Sequence, residues 1–92
     1  MKENYEFEWA EAKDAANRSK HGVSFEEAEA IWDDPTFLEV HVTTLPEERW
    51  VVIDHVGKNA YLTAVITYRN EKVRILSARK SSKKGVDAYG ND

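Results

Sequence analysis

The chain has no cysteine, two prolines, four glycines and one methionine in 92 residues. Without cysteine there is no disulfide framework, no thiolate metal site and no sulfur nucleophile, which fits a reducing compartment; the cytoplasm is the expected location. Long apolar runs are also missing. The opening M-K-E-N-Y-E-F-E-W offers no signal-peptide core, and no stretch approaches the roughly 18 apolar residues that span a bilayer, so neither secretion nor membrane insertion is expected. The few glycines and prolines fall singly, leaving no linker, repeat or low-complexity segment, and residues 1–92 are expected to form a single domain.

Aromatic and apolar residues are plentiful by contrast. At 41% hydrophobic and 33% charged, the composition is that of a chain that folds around one core. The formal net charge of -4 argues against a nucleic-acid partner only if charge is spread evenly, and it is not. Residues 1–68 hold 6 Lys+Arg against 14 Asp+Glu, a net of -8, whereas residues 69–84 hold 7 Lys+Arg against Glu71 alone, a net of +6. Such a run is usually a solvated tail. Here it threads V-R-I-L-S-A-R, a strand pattern that would hold some of these cations in a sheet.

Alternation of Tyr5, Phe7 and Trp9 with Glu6 and Glu8 predicts a half-buried strand, and A-E-A-K-D-A-A-N-R-S-K predicts a helix after it. Gly22 suits the left-handed position that closes a helix. Ser24 with Glu27 is a capping-box pattern opening a second one, with Val23 and Ala28 as its staple. Phe25, Ala28, Ile31 and Trp32 form the apolar stripe of that helix, and D-D-P at 33–35 stops it. Four strands follow, F-L-E-V-H-V, R-W-V-V-I-D-H-V, A-Y-L-T-A-V-I-T-Y and K-V-R-I-L-S-A, separated by the short turns T-T-L-P-E-E, V-G-K-N and R-N-E-K. The expectation is an α+β domain of order β-α-α-β-β-β-β, two helices on one face of a mainly antiparallel sheet, with a basic C-terminal tail.

The segments F-E-W-x-x-x-K-x-x-x-N-x-x-K-H-G-V-S-F and R-I-L-S-A-R-K, with D-P and E-R-W between them, resemble the BrnT family, the toxin half of a type II toxin-antitoxin pair. The resemblance implies a RelE-like fold and a ribonuclease that works without a metal or other cofactor. It also implies RNA as substrate, neutralisation by a BrnA-like antitoxin, contact with operator DNA only through that antitoxin, and a dimer of toxin-antitoxin heterodimers.

A metal-free ribonuclease must take a proton from the ribose 2′-OH, stabilise charge on the phosphate and return a proton to the 5′ oxygen. Trp9, Lys13, Asn17 and Lys20 recur at helical spacing on one stripe, with His21 at its end. One reading makes this stripe a phosphate-facing edge, with Lys13 and Asn17 binding substrate and His21 and Lys20 catalytic. The other makes the lysines solvated and His21 a donor to the carbonyls ending the helix. Arg79 is the first choice for charge stabilisation, because a guanidinium fixed by a strand matches phosphate oxygens. Arg49 is the second, with an ion pair to Glu47 or Glu48 as its competing role. Arg74 and Ser77 are further substrate-binding candidates, although strict alternation puts Arg74 on one face of the strand and Ser77 and Arg79 on the other.

The tryptophans and Tyr61 are expected in the core, and Tyr68 and Tyr89 are the candidates for stacking on a nucleobase. A zinc site built from His21, His41 and His55 is not expected, since no two show short metal-ligand spacing. Two positions depart from the family pattern. Ala10 stands where an acidic helix cap is usual, and Gly85 stands near the place of a tail glutamate, a loss for which Asp87 compensates only with a different backbone. The alternative reading is therefore a BrnT-like binding protein, catalytically weak or inactive, acting as antitoxin partner and corepressor.

Overall fold

A computed structural model of the chain describes residues 5–55 and 60–82. Tyr89, Gly85, Asp87, Lys83, Lys84 and Val56 lie outside the described residues. The order of elements is β1 (Phe7–Glu8), α1 (Glu11–His21), α2 (Phe25–Ala28) running into a 3₁₀ turn (Glu29–Asp33), then β2 (Leu38–Thr43), β3 (Arg49–His55), β4 (Ala60–Arg69) and β5 (Lys72–Ser82). The strands form one mixed sheet in the order β1-β5-β4-β3-β2. Three consecutive antiparallel pairs run from β2 to β5, as short turns dictate. Only β1 is parallel, pairing Phe7 with Val73 and Glu8 with Arg74.

The corner between the helices follows its sequence signals. Gly22 takes a positive φ of 71° and its N–H returns to the Arg18 carbonyl at 2.9 Å. Ser24 Oγ accepts from Glu27 N–H at 3.0 Å while the Glu27 carboxylate accepts from Ser24 N–H at 3.1 Å, a reciprocal cap contributing about 1 kcal/mol. Val23 and Ala28, the expected staple, are both buried in the same core. Ala10 contributes no side-chain cap to α1. The second helix is shorter than its apolar stripe predicts: one α-turn tightens to 3₁₀ geometry, in which Ala28 and Ile31, three apart, line up on the buried face. Trp9 precedes α1 rather than joining its stripe, and its ring meets Phe25 edge-on at 6.0 Å.

The main core lies between the helices and one face of the sheet, where Phe25, Ile31 and Trp32 pack on Val52, Ile66 and Ile75. Burying each such side chain stabilises by about 1.5–3 kcal/mol. A smaller cluster, Val51 and Ile53 with Tyr61 and Val65, occupies the opposite face.

Two features correct the sequence reading of β5. The strand runs past Ala78 through Ser82, so Arg79, expected on the strand or just beyond it, lies within the sheet together with Lys80. It also carries a bulge: Ile75 pairs with Ile66 and Ser77 with Val65, leaving Leu76 as the extra residue. Beyond a bulge the alternation changes phase. Arg74, opposite Thr67, therefore shares a face with Ser77, opposite Val65, and Arg79, opposite Thr63.

Candidate functional site

The first half of β5 is closed on its outer side by β1, and two ion pairs reinforce that ladder, Arg74 to Glu8 at 3.0 Å and Lys72 to Glu6 at 3.9 Å. Beyond β1 the edge is taken over by α1. The buried Asn17 Nδ2 donates to the Ala78 carbonyl at 2.8 Å while its Oδ1 accepts from the Ala78 N–H at 3.0 Å. The side-chain amide thus serves both backbone groups that a neighbouring strand would have served. Its second N–H goes to the Val23 carbonyl at 2.8 Å, and the buried Asp14 accepts from Phe25 N–H at 2.8 Å, so the corner G-V-S-F is tied to α1 and β5 together. Asn17, expected to bind substrate, is committed to this clamp.

That clamp sets two neighbouring hollows. One, of about 250 Å³, is walled by His21 at the end of α1, Ser77 and Arg79 on β5, and Thr63 and Val65 on β4. The other, of about 240 Å³, lies between Lys13, Lys20 and His21 on α1 and Leu76 and Ser77 on β5. His21 and Ser77 are common to both. Among the described residues no carboxylate lines either hollow, while Lys13, Lys20 and Arg79 bring three fixed cations. The exposed His21 stands beside Arg18 and Lys20 in the last helical turn, where a helix end favours positive charge. Thr63, which sequence reasoning did not single out, is buried in the wall, and its hydroxyl shares a 3.0 Å hydrogen bond with that of Ser81. Its signal was available: T-A-V-I-T places two hydroxyls at alternate spacing inside an otherwise apolar strand.

The remaining candidates are elsewhere. Arg74 is on the right face but engaged by Glu8, and four steps along the ladder, roughly 13 Å at ~3.3 Å each, separate it from Arg79. Arg49 opens β3 one step beyond the Trp50–Ile66 pair, on the same face and level with Arg74, with its buried Nε unpartnered. Tyr68 is on the opposite, helix-side face of β4; its hydroxyl donates to the Glu39 carboxylate, and burial together with that carboxylate pushes its ionisation well above the usual range. Neither borders the hollows. The basic segment is also less exposed as a field than its sequence suggests, because Arg69, Lys72 and Arg74 meet Glu47, Glu6 and Glu8. His41 on β2 and His55 at the end of β3 line neither hollow, His41 lying beside Glu48 and His55 beside Tyr61.

The small α+β fold that carries this groove defines a class to which a solved structure also belongs. The chain superposes on the crystal structure of the Brucella abortus ribonuclease toxin, BrnT, with a TM-score of 0.70, covering 86% of this chain and 99% of that one at 16% identity. At that identity the likeness is one of fold. The family model for the ribonuclease toxin BrnT of type II toxin-antitoxin systems matches residues 9–85, and the chain belongs to that family. No curated protein matches it. Among the described residues no helix is long and apolar enough to cross a membrane.

Proposed function

We propose that the chain is an endoribonuclease toxin that cleaves RNA without a metal at the groove between α1 and β5, and that a BrnA-like antitoxin neutralises it and carries the complex to operator DNA. The observation that supports this reading most is the meeting of His21, Ser77 and Arg79 around one hollow, with Lys13 and Lys20 along the adjoining one. The 2′-oxygen gives up its proton and attacks the adjacent phosphorus. The bond to the 5′ oxygen breaks, and that oxygen receives a proton, leaving a cyclic phosphate and a free hydroxyl. His21 carries one of the two proton transfers. The Arg79 guanidinium faces the charge that builds on the non-bridging oxygens, Lys13 and Lys20 hold the phosphates on either side, and Ser77 hydrogen-bonds the phosphodiester.

End-labelled RNA incubated with the purified chain in EDTA tests this. Cleavage is expected, and His21→Ala and Arg79→Ala, both at exposed positions, are each expected to lower it at least tenfold, about 1.4 kcal/mol of transition-state stabilisation. A folded parent that leaves RNA intact would instead support the inactive binding protein.

A further inference from the structure

The opposite edge of the sheet has a different character. β2 pairs with β3 alone, so among the described residues the backbone groups on its other side meet no strand. Guards against pairing are few: L-E-V-H-V-T has no lysine and no proline, Glu39 is its one acidic residue, and its bulge at Val42 leaves the stretch from Leu38 to His41 regular. Exposed apolar surface gathers there, with Leu38 45% and Val42 46% exposed and Leu45, just beyond, 79% exposed.

The two faces flanking this edge differ in chemistry. On the helix side, the rings of His41, Trp50 and Tyr68 run edge-on across β2, β3 and β4, with centroids 5.3 and 4.9 Å apart. Carboxylates border that aromatic row: Glu39 beside Tyr68 and Glu48 beside His41. On the other face the β2 side chains are Leu38 and Val40. Carboxylates around aromatic rings are a setting for cations, which gain from both the charge and the ring faces.

We infer that β2 is the docking edge for an extended segment of a protein partner, one whose residues alternate basic and apolar and which adds to the sheet as a further strand. An added strand places alternate side chains on opposite faces, so one set meets Glu39, Glu48 and the ring row while the other meets Leu38 and Val40. Charge decides among occupants. A second copy of this chain pairing through β2 would bring Glu39 and Glu48 against a like-charged rim, and nucleic acid would bring phosphates to it. The surface is three strand spacings, roughly 14 Å at ~4.8 Å each, from β5 and its groove, so this inference stands apart from the ribonuclease reading.

The test is a titration of the full chain with a capped nine-residue peptide alternating arginine and valine. Calorimetry reads affinity, and amide hydrogen exchange reads the site. The expected result is saturable binding that slows exchange of β2 amides, weakens at least tenfold in the Glu39→Gln/Glu48→Gln double variant, and weakens as much for a peptide of equal composition with its arginines and valines in separate blocks. Absence of binding, equal binding of the blocked peptide, or protection located away from β2 would overturn the proposal. So would concentration-dependent self-association of the chain that itself protects β2.

Discussion

The two edges of the sheet meet the same physical problem and answer it differently. On the β5 side the edge is held at two places, at Val73 and Arg74 by β1 and at Ala78 by the amide of Asn17, whose pair of hydrogen bonds mimics a strand. On the β2 side, among the described residues, no strand pairs with the edge, and apolar side chains border it. A closed edge can hold side chains in fixed relation to a helix, which is what a groove between α1 and β5 needs. An open edge retains the pairing capacity that a partner chain can use.

The contrast can be broken most sharply at Asn17. Asn17→Ala leaves the Ala78 N–H and two carbonyls without their partner, and a loss of about 3 kcal/mol is expected in denaturant unfolding, together with faster exchange of the Ala78 amide. A next step down is the ion pair beside β1: Glu8→Ala removes the partner of a part-buried Arg74 and should cost about 1 kcal/mol by the same measurement.

Nearer the open edge, a carboxylate pair offers a gain in place of a loss. Burial, and then the neighbouring Asp34 carboxylate, raise the Asp54 pKa, while hydrogen bonds from Thr36 lower that of Asp34. A raised carboxyl favours the folded state while protonated, and that contribution is lost as pH rises through its folded pKa. Asp54→Asn should therefore stabilise the protein at pH 7, and the gain should vanish below the ordinary carboxylate pKa of about 3.9. Thermal melts of both proteins across that range check the sign. The smallest effect belongs to the β2 edge itself: Leu45→Ser, at a side chain 79% exposed, should change stability by less than about 0.5 kcal/mol. A larger cost would mean that this edge is less open than its exposure indicates.

Much of this arrangement was legible from local signals. Gly22, Ser24 and Glu27 announced the corner, and β-branched runs between short turns announced the β2 to β5 meander, because caps and hairpins are written in adjacent residues. What adjacent residues do not encode was missed. The parallel seat of β1 on β5 joins residues more than sixty positions apart. The neutralisation of Arg69, Lys72 and Arg74 depends on which acidic residues the topology brings alongside. Lys13, Lys20 and His21 did gather with Ser77 and Arg79. Asn17 was read as a face residue because spacing shows the stripe it occupies and not what lies under it, and Arg74 was assigned to the wrong face because a bulge has no reliable signature in V-R-I-L-S.

That bulge makes β5 unequal in its tolerance of changes in length. Leu76 has no opposite number on β4, so removing it would let Ser77 follow Ile75 directly and keep every cross-strand pairing from Lys72 to Ser82. Removing any other single residue from the body of the strand would shift the register on one side of the lesion and turn core side chains toward water. Position 76 is thus the place where this strand can lose a residue and still present Ser77 and Arg79 to the same groove.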